Sequence, residues 1–260
     1  MNLVASLIVR NELSRYLRWT LPALLDFCDE VRILDDGSDE PGWPHDLNGI
    51  PGGERVLVKR VEETQFFRHE GRARNALLDW TFAANPTHVL AIDADEFVAD
   101  GQRVRDAIET GWPVYTLSME EVWKAEHDCL CVRQDGAWGP HEAPIVYAVP
   151  PANQRNHTWR INDRRLACGR EPVAVRNLRR QARQVDTEIL HFGWANEQER
   201  AARHARYQEN DGGRFHRDAH LQSIMWGDDR VSLFGRPWPA SLLPVRDAIV
   251  ERANRKLQPA

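Results

Sequence analysis

Apolar and polar residues alternate along the first hundred positions in blocks that predict strands and helices in turn. The apolar blocks of strand length end at polar loops and cover residues 3–9, 31–34, 55–60 and 88–92. Between them, apolar residues recur at steps of three and four, as on one face of a helix, over residues 13–27 and 71–84. Strands that alternate with helices are typical of an α/β fold built on a mostly parallel sheet.

The pattern is less regular in the rest of the chain. Short apolar blocks predict two strands, over residues 114–119 and 188–192. Helical spacing predicts three helices, over residues 104–109, 196–208 and 242–257. Residues 136–158 are rich in Gly, Pro, Asn and His, so we expect long loops there.

The composition is that of an ordinary globular protein. The 260 residues carry a formal net charge of −5, so a general attraction to nucleic acid is not indicated. No apolar stretch approaches the roughly 20 residues that span a bilayer, and Arg10, Asn11 and Glu12 interrupt the first apolar run, which argues against a signal peptide. The four cysteines form no paired CxxC array, and one Cys-x-Cys is a weak metal signal. We therefore expect a cytoplasmic protein with reduced thiols and no integral membrane association.

One segment departs from this charge balance. Residues 155–183 hold nine arginines against Asp163 and Glu171. Such a segment could bind phosphates or an acidic partner, or it could be only a solvated surface. A nucleic-acid-binding protein that acts through residues 155–183 is therefore an alternative function.

Clustered carboxylates directly follow the fourth apolar block. Asp93, Asp95 and Glu96 lie within four positions, and a buried strand that ends in such a cluster is costly unless a positive charge lies there. A second acidic group, residues 35–39, follows the second block. The carboxyl ends of parallel strands form the usual ligand-binding edge of an α/β sheet. Because hard cations take oxygen ligands and share them with diphosphates, the pattern predicts a metal–diphosphate site.

Four segments together resemble the family 2 nucleotide-sugar glycosyltransferases, which have the GT-A fold. In chain order they are Leu7-Ile8-Val9-Arg10-Asn11-Glu12, Asp35-Asp36-Gly37-Ser38, Gly71-Arg72-Ala73-Arg74-Asn75 and Asp93-Ala94-Asp95-Glu96. The resemblance implies a Rossmann-like, mostly parallel sheet with helices on both faces. It also implies a transferase domain over residues 1–212, with a nucleotide-sugar-binding half at 1–100 and an acceptor half at 101–212, and a helical and irregular C-terminal extension at 213–260.

The resemblance assigns donor binding to residues that follow the predicted strands or begin a helix: Val9, Arg10, Asn11, Glu12, Asp36, Arg72, Arg74, Asp93 and Ala94. Asp36 would accept the imide N–H of uracil, which favours a UDP-sugar, although Asp-Gly-Ser is also ordinary turn chemistry. Arg72 and Arg74 would meet phosphate at a helix start. Only one of them would face the ligand, since positions two apart on a helix point apart, and a salt bridge with Glu70 is the alternative.

The resemblance also implies a metal, Mn²⁺ or Mg²⁺. Asp95 would hold it, His191 would complete the site, and the ion would help the diphosphate leave, which makes Asp95 a catalytic residue. Two alternatives stay open. Asp95 could cap a helix that begins near Glu96 or Phe97, and His191 could be a buried histidine bonded to backbone.

Transfer with inversion requires a carboxylate base near the acceptor hydroxyl. Residues 166–172 resemble the "G-x-HEP" segment of some family members, with Arg170 where histidine is usual, and this selects Glu171 as the catalytic base. A simple surface glutamate is the alternative. Asp135 and Glu142 are the other candidates.

We therefore expect a metal-assisted, inverting glycosyltransferase that moves a sugar from a nucleoside diphosphate, with UDP favoured, to a hydroxyl. The acceptor is open between a protein, a glycan and modified DNA. Besides nucleic-acid binding, the alternatives are a nucleotidyltransferase and a catalytically inactive sugar-nucleotide-binding module. The ten tryptophans could stack on sugars, but tryptophans more often fill cores.

Overall fold

The computed structural model describes residues 1–61, 66–161, 169–210 and 219–255. The chain divides into two compact units. The first unit contains Met1–Leu117 and Glu142–Thr187, and the second contains Ser118–His141 and Glu188–Ala260. None of the helices within these described ranges is both long and apolar enough to cross a membrane.

The strands of the described ranges, in chain order, are β1 (Leu3–Val9), β2 (Glu30–Asp35), β3 (Val56–Arg60), β4 (His88–Ala91), β5 (Glu96–Val98), β6 (Val114–Ala125), β7 (Leu130–Arg133), β8 (His141–Ala148), β9 (Arg183–His191) and β10 (Leu233–Arg236). The α-helices are α1 (Arg18–Leu25), α2 (Phe66–Phe82), α3 (Gly101–Ile108), α4 (Val173–Asn177), α5 (Glu197–Asn210), α6 (Ala219–Gln222) and α7 (Arg246–Asn254). A π-helical turn, Leu13–Leu17, leads into α1.

The first unit is built on a mostly parallel sheet with the strand order β3-β2-β1-β4-β8. β1 pairs in parallel with β2 and β4, and β2 pairs in parallel with β3. β8 is antiparallel to β4. Because β1 lies between β2 and β4, the loops that follow these three strands are neighbours at one edge of the sheet. The predicted α/β class with a mostly parallel sheet is confirmed.

Helix α2 covers the sheet because its small and apolar residues recur on one face. Ala73 and Leu77 pack against Leu34 of β2 and Ile8 of β1. Its helical dihedral angles break at His69, where φ is −148° and ψ is 58°. The regular part of α2 therefore begins close to Gly71, where the sequence predicts a helix start.

The four apolar blocks of the first hundred residues all form strands, but the prediction of long loops over residues 136–158 is wrong in part. β8 forms there, and Ile145, Val146 and Tyr147 are buried beside β4. Pro144 and the polar residues before it hide this short apolar run in the sequence. β6 is also longer than predicted, because Glu120 and Glu121 interrupt its apolar pattern but have ion-pair partners, Arg236 and His191.

The second unit contains an antiparallel sheet with the order β10-β7-β6. Its core holds Trp123, Trp138 and Trp194 with Ile224. The buried Arg133 guanidinium lies 4.6 Å from the ring centroid of Trp123 and 4.7 Å from that of Trp138. These tryptophans fill a core and are not available to stack on a sugar.

Asn75 provides a test of the packing of α2. Its buried amide accepts a hydrogen bond from the Ile161 N–H at 2.9 Å and donates one to the Ile161 carbonyl at 3.0 Å. We expect Asn75→Ala to lower the free energy of unfolding by about 2 kcal/mol, because both backbone groups lose their partner. Urea denaturation measures this loss. The exposed Arg72 on the same helix supplies the control, and Arg72→Ala should change stability by less than about 0.5 kcal/mol. Equal stability of the two variants would contradict the assigned role of Asn75.

Candidate functional site

The loop that follows β1 is fastened to the loop that follows β2. Asn11 has a positive φ of 55°, a region in which asparagine is enriched. Its backbone N–H donates to Ser38 Oγ at 3.0 Å, its Nδ2 donates to Asp39 Oδ1 at 2.7 Å, and its Oδ1 accepts from the Asp39 N–H at 2.8 Å. Glu12 forms an ion pair with Arg15, whereas Arg10 is exposed. Asn11 therefore joins the two loops. Among the predicted donor-binding residues of this loop, Arg10 has the exposed side chain.

The two adjacent aspartates at the end of β2 are both buried, and Asp36 is only 1% exposed. Asp35 is fully buried and accepts hydrogen bonds from the Ser38 N–H at 2.7 Å and from Trp43 Nε1 at 2.8 Å. The Asp36 N–H donates to the Val9 carbonyl at 2.8 Å, which joins the ends of β1 and β2. The turn is thus held by the Asp35 carboxylate. The contact of Asp36 with a nucleotide base stays a prediction.

The acidic cluster, Asp93 to Glu96, forms the connection between β4 and β5. The Ala94 carbonyl accepts a hydrogen bond from Thr20 Oγ1 at 2.6 Å, which ties the cluster to α1. The Asp93 N–H donates to Glu96 Oε2 at 2.9 Å, and Glu96 is completely buried. The backbone of this turn is therefore held by the side chains around it.

The alternative that Asp95 caps a helix is wrong. The chain enters strand β5 at Glu96. The next helix, α3, begins at Gly101, and its N-cap is Asp100, whose side chain accepts from the N–H groups of Gln102 and Arg103. Asp95 itself is 7% exposed.

The positive charge that the acidic cluster requires is supplied by Arg170. Its guanidinium donates to both oxygens of Glu96 and lies 3.0 Å from Asp93 Oδ2. Burial alone would lower the pKa of Arg170, but the charges of Asp93, Glu96 and Asp95 outweigh burial and raise that pKa far above its usual value. Sequence reasoning treated Arg170 only as a departure from the family pattern and missed this role.

Of the two arginines of α2, Arg74 lies beside the acidic cluster and Arg72 is exposed. Arg74 Nε donates to Glu70 Oε1 at 2.8 Å, and its Nη1 is 3.9 Å from Asp93 Oδ1. The salt bridge with Glu70 that was the alternative is therefore present, and it is made by Arg74. Phosphate binding by either arginine stays a prediction.

The cluster offers carboxylate oxygens of the kind that a divalent ion takes as ligands when it also binds a substrate. Both oxygens of Glu96 are bonded to Arg170, and Asp93 Oδ2 also lies 3.0 Å from that guanidinium, so an ion on Asp93 would share this carboxylate with Arg170. Asp93 and Asp95 stay the predicted ligands. Among the residues that the structure describes, no group of three His, Cys, Asp or Glu side chains converges at this cluster. Magnesium is commonly bound through one or two carboxylates together with substrate phosphates, so this donor set suits an ion that arrives with a diphosphate.

His191 ends β9 and belongs to the second unit. Its Nδ1 lies 2.5 Å from Glu121 Oε2. This partner is a carboxylate, whereas the alternative interpretation of His191 was a hydrogen bond to backbone. Burial alone would raise the pKa of Glu121, but the charge and the hydrogen bond of His191 outweigh it and hold that pKa below its usual value. A carboxylate on one imidazole nitrogen is the usual support of a metal-binding histidine. Sequence reasoning missed Glu121, and the role of His191 at a metal stays a prediction.

The candidate bases differ in how far their carboxylates are engaged. Glu171 Oε1 accepts from Arg176 Nε at 2.9 Å, and its side chain is 15% exposed. Asp135 accepts from Arg133 Nε at 2.9 Å and from the Ser232 N–H at 2.8 Å, and despite partial burial these bonds hold its pKa below the usual value. Asp135 is therefore a structural anchor, whereas Glu171 and the exposed Glu142 stay candidates.

Most of the described arginines between residues 155 and 183 have partners within the chain. The Pro150 carbonyl accepts from Arg155, Asp79 pairs with Arg160, Glu171 pairs with Arg176, and the Glu142 carbonyl accepts from Arg179. Residues 162–168 of this segment, with two further arginines, lie outside the described ranges. The described part offers less free positive charge than its composition suggests, which weakens the nucleic-acid-binding alternative.

No family model matches the chain, and no curated protein does. Among solved structures, the chain is similar to the crystal structure of GalNAc-T7 with UDP, GalNAc and Mn²⁺, at 14% identity and a TM-score of 0.38, over 47% of this chain and 24% of that one. It is similar to the mannosyltransferase PcManGT from Pyrobaculum calidifontis in complex with GDP-Man and Mn²⁺, at 12% identity and a TM-score of 0.48, over 96% and 69% of the two chains. It is also similar to HddC from Yersinia pseudotuberculosis, at 9% identity and a TM-score of 0.42, over 74% and 94%.

The chain thus spans about a quarter of the length of the GalNAc-T7 structure. All three identities lie below 15%, and all three TM-scores lie below 0.5. We therefore base a functional assignment on the residues of this chain alone.

The Arg170 ion pairs lead to a stability prediction. Arg170→Met leaves the buried Glu96 without its counter-charge, so we expect a loss of about 3–5 kcal/mol in the free energy of unfolding, measured with urea. The double variant Arg170→Met/Glu96→Gln removes both charges and should recover most of that loss. A single variant that loses less than about 1 kcal/mol would show that the guanidinium does not hold the acidic cluster together.

Proposed function

We propose that this chain is a glycosyltransferase of the family 2 type, which transfers a sugar from a nucleoside-diphosphate sugar to a hydroxyl group. The observation that carries the proposal is the strand order β2-β1-β4. It brings the loop with Asp36 and the loop with Asp93 and Asp95 to the two sides of residues 10–12, at the carboxyl edge of parallel strands. Open α/β sheets bind their ligands at this edge.

In the proposed complex, the diphosphate lies beside the acidic cluster. Asp93 and Asp95 would hold a divalent ion, Mn²⁺ or Mg²⁺, and this ion would supply Lewis-acid stabilisation of the leaving diphosphate. Arg74 and Arg170 contribute fixed positive charge at the same place, and a guanidinium matches the geometry of phosphate oxygens. His191, in the second unit, is proposed as a metal ligand on the resemblance alone.

The nucleoside is proposed to be uridine. A carboxylate accepts the imide N–H of uracil, and Asp36 follows β2 where its neighbour Asp35 already holds the turn. The Val9 carbonyl, to which the Asp36 N–H donates, keeps Asp36 next to the loop that follows β1.

Glu171 is proposed as the base that accepts the proton of the attacking hydroxyl, so that transfer inverts the sugar carbon. It follows Arg170 directly, and Arg170 is bonded to the acidic cluster. One carboxylate oxygen is bonded to Arg176, and the other makes no hydrogen bond within the described ranges. A protein, a glycan and modified DNA all offer the hydroxyl that this chemistry requires.

Donor binding can be tested by thermal shift with a panel of nucleotide sugars, with and without Mn²⁺. A ligand at 100 times its Kd stabilises the native state by about 2.7 kcal/mol, so the correct donor should raise Tm visibly. We expect UDP-sugars to act only with the metal, and Asp95→Asn to lose the metal-dependent part of the shift while the protein stays folded.

The matched control is Asp26→Asn, an exposed aspartate at the end of α1, far from the strand ends that carry the acidic loops. It should keep the full shift. If Asp95→Asn kept it as well, the assignment of the metal to the acidic cluster would be wrong.

The base assignment predicts a separation of binding from turnover. Glu171→Gln should keep the donor-induced rise in Tm but hydrolyse the bound sugar nucleotide at least about 100-fold more slowly, because water then lacks its proton acceptor. Release of the nucleoside diphosphate measures the rate. Glu142→Gln is the comparison variant and should retain the rate. The reverse result would move the role of base to Glu142.

A further inference from the structure

A second group of metal-binding side chains lies in the second unit, on the hairpin that joins β6 to β7. The hairpin turn is closed by the Glu126 N–H, which donates to the Cys129 carbonyl at 3.0 Å. Cys129 and Cys131 are two positions apart on extended chain, so their side chains share a face. Their Sγ atoms are 4.0 Å apart. A carboxylate oxygen of Glu126 and the two sulfur atoms all lie within 4.8 Å of one another.

These distances suit a tetrahedral zinc ion. Zinc–sulfur bonds of about 2.3 Å at a tetrahedral angle place two sulfur atoms about 3.8 Å apart, close to the separation found here. A disulfide would need a sulfur–sulfur distance of about 2.05 Å, and all three described cysteines are free thiols. Two thiolates with a carboxylate also select a soft or borderline metal over magnesium or calcium.

The surroundings leave the three ligands accessible and hold the hairpin in place. The two cysteines are half-buried and Glu126 is exposed. Gly235 of β10 lies opposite Cys131 in the sheet, and a Cβ at Gly235 would lie 3.9 Å from Cys129 Sγ, so no side chain of this residue covers the thiols. Trp238 Nε1 donates to the Glu126 carbonyl at 2.8 Å, which fixes the residue that supplies the carboxylate.

We propose that Glu126, Cys129 and Cys131 form a zinc site that clips the β6–β7 hairpin. The three protein ligands leave the fourth tetrahedral position to water. Binding converts both thiols to thiolates and releases their two protons to solvent, while the metal keeps its oxidation state. None of the three residues belongs to the proposed donor site, so the zinc site does not depend on the transferase assignment.

The test uses the full chain, purified with a reductant and stripped of metal with a chelator, and then titrated with Zn²⁺ against a chromophoric competitor. We expect one high-affinity zinc ion per chain. Loss of an outer-shell contact weakens metal binding by up to about 100-fold, and loss of a direct thiolate ligand should cost more. Cys129→Ser and Cys131→Ser should therefore each weaken zinc binding by more than about 100-fold, and Glu126→Gln should weaken it by about 10-fold. Asp128→Asn, in the same turn but outside the ligand set, is the matched control and should bind as the wild type does.

Substitution with Co²⁺ gives an absorption spectrum that reports directly on thiolate ligands and would not change if the cysteines had only a structural role. The wild type should show the thiolate-to-cobalt charge-transfer band and the strong visible absorption of a tetrahedral site, and both should vanish in the double variant Cys129→Ser/Cys131→Ser. Circular dichroism checks that this variant is folded. Failure of the wild type to bind zinc, or unchanged binding by the folded double variant, would overturn the proposal.

Discussion

The ion pair between Glu96 and Arg170 is the interaction on which the candidate site depends. Glu96 has no solvent exposure, and the transfer of such a carboxylate from water costs several kcal/mol unless its oxygens are bonded. Arg170 bonds both oxygens, and the Asp93 N–H donates to one of them. Arg170 is 74 positions from Glu96 in the sequence, and this ion pair holds it at the turn that follows β4. Glu171 is the next residue in the chain. The ion pair therefore ties the chain segment that contains Glu171 to the acidic cluster.

The same interaction sets the charge that the cluster presents to a ligand. The described ionic groups that meet here are two guanidinium groups and four carboxylates: Arg74, Arg170, Glu70, Asp93, Asp95 and Glu96. The six groups together carry two more negative charges than positive charges. A divalent cation would balance them, and a diphosphate that arrives with the cation restores the original charge. The arginines therefore hold the carboxylates together, and the net negative charge of the six groups favours the binding of a cation.

Local patterns in the sequence predicted the strands of the parallel sheet, but they did not predict contacts between residues that are far apart in the chain. The strands of the parallel sheet were foreseen because each is an apolar block that ends at a polar loop. Strand β8 was not, because Pro144 and its polar neighbours obscure three buried residues. The partners Glu121 and His191 are 70 positions apart, and no local pattern joins them. The Cys-x-Cys pair was a weak signal in the sequence because its third ligand, Glu126, converges on it only when the hairpin folds.

The proposed functional residues are divided between the two units of the chain. Every residue proposed to bind the donor, and the proposed base Glu171, belongs to the first unit, so those assignments rest on one sheet and its loops. His191 belongs to the second unit, where the carboxylate of Glu121 gives its imidazole a partner whether or not a metal is bound. A half-buried histidine that already has a carboxylate partner is explained without a metal. For this reason the proposal of a sugar-nucleotide site stands on Asp36, Asp93 and Asp95 and does not require His191.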